Sequence, residues 1–329
     1  MFDAPSEPAR PPGRHILVAF NKIAGAGGRE TRVASLLKHL QEAGFEATVC
    51  PDEGLLVSLV QQLDQARQLR GVIAAGGDGT ISWVANRVPP STPLVAFPLG
   101  TENLLARYLG HAADPLGVVD LFENGVLVAL DAGEANGRLF SLMAGCGFDA
   151  EVVEQLHRTR RGNIRHWSYL RPLLDTLWSY EYPRLTVRVT ACDGDGQASE
   201  EAIECRWAFV INVPRYALGI QIDSLATPLD GQLNVVTFRD GSLLCGLNYL
   251  SAVTLGTHVK RSDVCFRRAT KVQIECAGDG RFQLDGDPGG ELPVTISCLP
   301  QRLKVLVTQE CLTRIRPPAS TLSHLPSKL

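Results

Sequence analysis

The first residues in this chain whose types and spacing suggest chemistry are Gly76, Gly77, Asp78, Gly79 and Thr80. An apolar run, 71–75, leads into them and an amphipathic run, 81–88, leads out, so they read as a glycine turn between a buried strand and a helix. Such a turn lets backbone N–H groups approach a phosphate with no Cβ in the way, and the helix N-terminus behind it favours negative charge. Asp78 would be repelled by a bare phosphate. Its chemistry would therefore be to hold a Mg²⁺-associated group, a ribose hydroxyl or a hydroxyl proton. A purely structural role, with Asp78 or Thr80 as a helix N-cap, fits the same residues. Two further turns have similar character: Asn21-Lys22-Ile23-Ala24-Gly25-Ala26-Gly27-Gly28, and Leu99-Gly100-Thr101-Glu102-Asn103. Near the far end, Asp285-Gly286-Asp287 places two carboxylates one residue apart. Asp and Gly also favour a plain hairpin turn there.

The elements around these turns alternate. A strand at 14–20 precedes the first glycine turn, and a helix with Val33, Leu36, Leu37 and Leu40 on one face follows it, stopping at Gly44. Residues 45–50 read as a strand and 55–69 as a helix. The strand of the central turn comes next, then a strand at 94–98 and a helix over 104–109. This βαβα order predicts a mostly parallel sheet covered by helices, with the glycine turns at the carboxyl edge where open α/β sheets bind ligands. From about 126 the pattern changes. Strands are expected at 126–130, 138–144, 185–191, 206–213, 233–238, 271–275, 282–284, 293–297 and 302–307, with a helical insert over 150–180. The expected architecture is an α/β domain followed by a β-rich domain of two packed sheets.

Composition narrows the class. The chain has 329 residues, a formal charge of −3 and no long basic run, which argues against a nucleic-acid binder. Nine cysteines are scattered without a CxxC pair, so no zinc site or thioredoxin motif is signalled, and they read as reduced thiols of a cytosolic protein. Residues 1–13 lack the apolar core of an export signal and read as a flexible tail; residues 317–329 read as another. The apolar stretch 243–256 is too short to span a bilayer, so any membrane contact is expected to be peripheral. Nothing in the sequence specifies an oligomeric state.

Six motifs, in order over about residues 15–308, resemble the diacylglycerol kinase catalytic-domain family of lipid kinases, which includes bacterial diacylglycerol kinase-like enzymes and sphingosine and ceramide kinases. They are Asn21 to Gly27, Gly76 to Thr80, Pro98-Leu99-Gly100-Thr101-Glu102-Asn103, Gly145-Cys146-Gly147-Phe148-Asp149-Ala150, Asp230-Gly231-Gln232-Leu233-Asn234-Val235, and Leu284-Asp285-Gly286-Asp287-Pro288. The resemblance implies a Rossmann-like, NAD kinase/diacylglycerol kinase-like N-terminal domain that binds ATP and a β-sandwich C-terminal domain. The active site would lie in the cleft between them. The domains would be 14–125, with a returning segment near 304–316, and 126–303. It implies nucleotide contacts from Asn21, Ala24, Gly25, Thr48, Gly76, Gly77, Asp78, Gly79, Thr80, Thr101 and Asn103. The proton acceptor would be Asp287 with Asp285 adjacent, and Asp78 would help to hold Mg²⁺. It also implies a metal that supports the site near Asp230, with backbone carbonyls of Thr227 and Gln232 as ligands.

Three residues depart from the family pattern. Lys22 replaces a proline in the first turn, and a lysine beside phosphates is physically favourable. Leu104 stands where many bacterial members carry Asp. Asp287 stands where the family has Glu, and its reach is shorter by ~1.3–1.5 Å, about one bond. That leaves the acceptor role open between Asp285 and Asp287. The resemblance implies transfer of the γ-phosphate of ATP to a hydroxyl of a membrane-derived lipid, diacylglycerol-like or sphingoid-like. Arg158, Arg160, Arg161 and Arg165, near Trp167 and Tyr169, suit contact with anionic headgroups, although the same residues suit a solvated helix face. Two alternatives have sequence support. An NAD kinase shares Gly-Gly-Asp-Gly-Thr, but the further Asp-Gly-x-x-x-Ser-Thr-Pro run of such enzymes is missing. A nucleotide- or lipid-binding module without catalysis would accommodate the shortened Asp287. A Rossmann dehydrogenase is excluded by the form of the first turn, which lacks Gly-x-Gly-x-x-Gly.

Overall fold

Apolar runs that are buried on both faces form the parallel part of the fold. The structure, a computed structural model, describes residues 13–20, 28–159, 180–192, 198–216 and 219–316. In chain order come β1 (His15–Ala19), α1 (Arg29–Glu42), β2 (Glu46–Cys50), α2 (Glu53–Gln65), β3 (Leu69–Gly76), α3 (Asp78–Ala85), β4 (Pro93–Pro98), α4 (Leu104–Leu109) and α5 (Pro115–Asn124). The four strands run parallel in the order β2-β1-β3-β4. Ile16, Val18, Ile73 and Phe97 face a core closed by α1 and α5, while Leu17, Val72, Ala74 and Ala96 face α2, α3 and α4. Burial on both faces explains why β1, β3 and β4 are largely continuous apolar runs rather than alternating ones.

The expected elements here need two adjustments. Helix α2 begins at Glu53, where Asp52 accepts a hydrogen bond from the Leu55 N–H, and it ends at Gln65 rather than 69 because Arg67 takes a left-handed conformation. Helix α5 was not anticipated, although its signal was present. Asp114 accepts hydrogen bonds from Leu116 and Gly117, and Pro115 occupies the first helical position.

The second half contains β5 (Val126–Ala135), β6 (Arg138–Phe140), β7 (Met143–Gly147), α6 (Phe148–Thr159), β8 (Leu185–Cys192), β9 (Ala198–Cys205), β10 (Trp207–Ile211), β11 (Leu233–Phe238), α7 (Leu243–Thr254), β12 (Val264–Ala269), β13 (Lys271–Cys276), β14 (Arg281–Leu284), β15 (Asp287–Glu291), β16 (Val294–Val307) and α8 (Gln309–Ile315). Strands β12, β11, β10, β7, β14 and β15 form a six-stranded antiparallel sheet. It packs on β8, β13 and the first part of β16 through Ala144, Cys146, Val187, Val210, Val235, Val272, Ile274 and Ile296.

One of the two sheets of this sandwich is continuous with the parallel sheet. Strand β16 pairs with β13 near its start and, parallel, with β4 at Lys304–Pro93 and Val305–Leu94 near its end. One ten-stranded sheet, β2-β1-β3-β4-β16-β13-β8-β9 with β5 and β6 on β16, therefore crosses the whole molecule. The strands expected at 293–297 and 302–307 are the two ends of β16, bent between Leu299 and Leu303. The single strand expected at 138–144 is two strands in different sheets. The chain breaks at Ser141 and Leu142, whose N–H groups leave the ladder for the Asp285 carboxylate. Of the insert expected over 150–180, α6 is described to Thr159; residues 160–179 lie outside the described residues. Among the described residues, no helix is long and apolar enough to cross a membrane.

Candidate active site

Two glycine turns meet at the carboxyl ends of β3 and β4. Gly76 leaves no room for a Cβ beside Thr80, and Gly77 packs on Gly100. The Leu99 N–H donates to the Gly76 carbonyl at 2.8 Å. Asn103 closes the second turn on itself: its Oδ1 accepts from the Gly100 N–H and its Nδ2 donates to the Gly100 carbonyl, both at 2.9 Å. Asn103 takes a left-handed conformation, φ 50°, which Asn tolerates better than most residues.

Asp78 joins the turns. It is the first residue of α3, yet its side chain caps α4. Oδ2 accepts from the Leu104 N–H at 2.9 Å and Oδ1 from the Leu105 N–H at 3.1 Å. Burial raises its carboxyl above the ordinary value, opposed by these two hydrogen bonds, and nearby Glu102 adds to the rise. The capping role thus holds for Asp78, but on a helix distant in sequence rather than on its own.

Asp285 and Asp287 differ sharply. Asp285 and Gly286 are the two-residue loop between β14 and β15, both with positive φ, as the hairpin turns favoured by Asp-Gly require. The Asp285 carboxylate is buried and accepts four hydrogen bonds. They come from the Ser141 N–H and hydroxyl, the Leu142 N–H and the Met143 N–H, at 2.8–3.1 Å. Burial pushes its carboxyl up to about 6 against the pull of those donors. Asp287 is 39 % exposed, with Arg138 Nη2 3.8 Å from its Oδ2. That same Oδ2 lies 3.6 Å from where a Cβ on Gly79 would be. Asp287 is therefore the carboxylate that faces the glycine turn with its oxygens accessible.

A cavity of about 150 Å³ lies at this meeting point. Asp78, Glu102, Asp285 and Asp287 form its polar wall, and Leu142, Met143, Val153 and Leu156 its apolar one. At its inner end Asp149 is buried. It accepts from the Tyr216 hydroxyl and from Gln283 Nε2, the latter at 2.8 Å, and burial raises its carboxyl. Asp149 and Tyr216 also line a second, apolar cavity of about 70 Å³ walled by Phe148, Trp207, Phe209, Phe238 and Tyr249. The Phe148 and Trp207 rings stack there at 4.7 Å.

The structure brings together Gly76, Gly77, Asp78, Gly79, Thr80, Asn103, Asp285 and Asp287, and sets the exposed Thr101 in the second turn. It does not bring Thr48 to them. The Thr48 hydroxyl is 2.8 Å from the His15 ring, at the amino end of β1. Asn21, Ala24 and Gly25 lie outside the described residues. So do Arg160, Arg161, Arg165, Trp167 and Tyr169, while Arg158 pairs with Glu154. Sequence reasoning assigned no role to Arg138, Glu102, Tyr216 and Gln283. Glu102 could have been found, since it lies inside a motif already singled out; the others come from strands and loops with no local signature.

Both oxygens of Asp230, the one side-chain ligand that the resemblance implies for a metal, already have partners. One Asp230 oxygen accepts from the Gln232 N–H at 3.0 Å and the other is held by the Arg268 guanidinium. Among the described residues, no three His, Cys, Asp or Glu side chains gather as a metal site.

Comparison with known proteins agrees with this fold. Residues 15–135 match the diacylglycerol kinase catalytic domain, and residues 143–307 match the YegS C-terminal NAD kinase beta sandwich-like domain. A diacylglycerol kinase of Bacillus subtilis is 25% identical over 302 residues, covering 89% of this chain and 96% of that protein. One of Staphylococcus carnosus is 23% identical over 298 residues, covering 89% and 95%. A crystal structure of a diacylglycerol kinase from Bacillus anthracis superposes with a TM-score of 0.63 at 19% identity, covering 91% of this chain and 98% of that one. With both halves matched in order on an α/β domain and a β-sandwich, the chain belongs to the diacylglycerol kinase-like family of lipid kinases.

Proposed function

We propose that this protein transfers the γ-phosphate of ATP to a hydroxyl group of a lipid, with Asp287 accepting the hydroxyl proton. The observation that carries the reading is the approach of Asp287 to Gly79 across the cavity. Phosphoryl transfer needs an aligned γ-phosphate, neutralised charge and a group near the attacking hydroxyl. Gly77, Gly79 and the turn at Gly100 leave backbone free of side chains around Asp78, which suits phosphates. Thr80, Thr101 and the first glycine turn complete the nucleotide side, within a nucleotide-binding unit of 14–125 and 304–316. Residues 126–303 supply the lipid side.

Asp285 has its oxygens occupied by four donors, so its role is to hold the hairpin that presents Asp287. Mg²⁺ is commonly bound through one or two carboxylates plus substrate phosphates, so it would arrive with ATP near Asp78 and Glu102 and neutralise phosphate charge. The apolar cavity at Phe148, Trp207 and Phe238 suits the hydrocarbon part of the acceptor. The arginines at 158, 160, 161 and 165 suit peripheral contact with the membrane that supplies it.

The test is ATP-dependent phosphate transfer to a panel of diacylglycerol, sphingoid base, ceramide and phosphatidylglycerol in mixed micelles, with NAD as a competing acceptor. Labelling of a lipid, lost in Asp287→Asn, supports the proposal. Labelling of NAD alone makes the acceptor class wrong. ATP binding with no labelled product favours a binding module.

A further inference from the structure

Away from the cavity, two carboxylates meet where the two sheets join. Asp131 on β5 is 2 % exposed. Its Oδ2 accepts from the Gly231 N–H at 2.7 Å, and its Oδ1 from the Gln301 N–H, at the bend of β16, at 2.8 Å. Asp131 and Asp230 thus accept from the successive N–H groups of Gly231 and Gln232. Two mostly buried carboxylates so close repel each other unless a cation sits with them. That cation is the guanidinium of Arg268, from β12, which pairs with Asp230. Arg268 stands opposite Asn234 in the β11–β12 ladder, so its backbone is fixed by the six-stranded sheet. The cluster therefore ties β5 and β16 of the large sheet to β11 and β12 of the small one.

The same cluster connects to the cavity. Asn212 Nδ2 donates to the Asp131 carbonyl at 2.9 Å and to the Ser141 carbonyl at 2.8 Å. Ser141 is the residue whose N–H and hydroxyl hold Asp285.

We propose that the Arg268 guanidinium is a built-in cation for Asp230, beside the buried Asp131, so that this chain holds the join between its sheets without the metal ion that its family resemblance implies there. Guanidinium is charged at every pH a protein survives, and it is covalently part of the fold. A metal at this place would depend on its free concentration, and chelation would remove its contribution to stability. The arginine escapes both dependences.

The experiment uses the full chain, dialysed against EDTA and free of nucleotide. Its readouts are thermal unfolding and metal content, so its failure would leave the lipid-kinase reading untouched. The wild-type midpoint is expected to agree within about 1 °C between EDTA and millimolar Mg²⁺ or Ca²⁺, with well under one metal ion per chain. Arg268→Met is expected to lose several degrees, because it leaves an uncompensated carboxylate. The double variant Asp230→Asn/Arg268→Met is expected to be less destabilised than the sum of its two single variants. Three results would overturn the proposal: a wild-type midpoint that drops in EDTA and recovers with divalent cation, one tightly held metal per chain, or strictly additive single-variant losses. Should Arg268→Met fail to fold, the wild-type comparison and the metal content decide.

Discussion

Gly77 and Gly100 meet backbone to backbone: a Cβ on Gly100 would lie 2.5 Å from the Gly77 Cα and 2.7 Å from Asn103 Oδ1. The first is backbone, and the second is held by its hydrogen bond from the Gly100 N–H. Gly100→Ala must therefore move one turn off the other. The expected cost is about 1–3 kcal/mol of stability, the range for overpacking, with weaker nucleotide binding. Chemical denaturation and ATP titration of the same variant measure both. Unchanged values for both would mean that the turns can separate freely.

Asp78 invites a distinction between a cap and a metal ligand. Asp78→Asn keeps the shape but can turn an N–H₂ toward the N–H groups of Leu104 and Leu105. The expected loss of stability is about 1–2 kcal/mol, as for a lost helix cap, and it is present without nucleotide. If Asp78→Asn changed only the Mg²⁺ dependence of turnover and left unfolding untouched, the capping role would be secondary.

The two aspartates of the hairpin separate by the kind of damage they do. Asp287→Asn is expected to lower kcat by about 10²–10⁴-fold, the usual contribution of a general base, with little change in unfolding because the side chain is partly exposed. Asp285→Asn is expected to destabilise the protein, since an amide cannot accept from all of Ser141, Leu142 and Met143. Asp287→Glu is expected to retain activity. Parallel kinetics and melting curves of the three variants make the comparison. A stable, inactive Asp285→Asn beside a fully active Asp287→Asn would reverse the roles.

His111 sets an acid limit on the fold. Its Nδ1 accepts from the Ala96 N–H at 3.1 Å and its Nε2 donates to the Leu306 carbonyl at 2.8 Å, bridging β4 and β16. Burial lowers its pKa from 6.5 to about 4. The unfolded chain therefore binds more protons than the folded one between those values. The contribution of His111 to stability is full above about pH 6.5 and is lost as pH falls toward 4. His111→Gln is expected to be less stable at pH 7 and to show a flatter loss across that window. Melting curves from pH 7 to pH 4 test it, and an equal slope in both proteins would count against the histidine.

Much of this was legible in the sequence because it is local. The strand–turn–helix grammar around Gly76 to Thr80, the length of α4 and the Asp-Gly hairpin at Asp285 follow from nearby residues through steric freedom, capping and apolar runs. The ordered motifs pointed to the family, which the matches over 15–135 and 143–307 bear out. The tertiary structure alone decided what depends on distant partners. It turned Asp78 to cap α4, split 138–144 at the Asp285 carboxylate, merged 293–297 and 302–307 into β16, and set Arg268 against Asp230. It also separated Asp285 from Asp287, two carboxylates that look interchangeable in sequence. Burial and four converging donors occupy one, and the other is left facing Gly79. Local spacing does not encode which donors will converge on a side chain, because that is fixed by how remote segments pack.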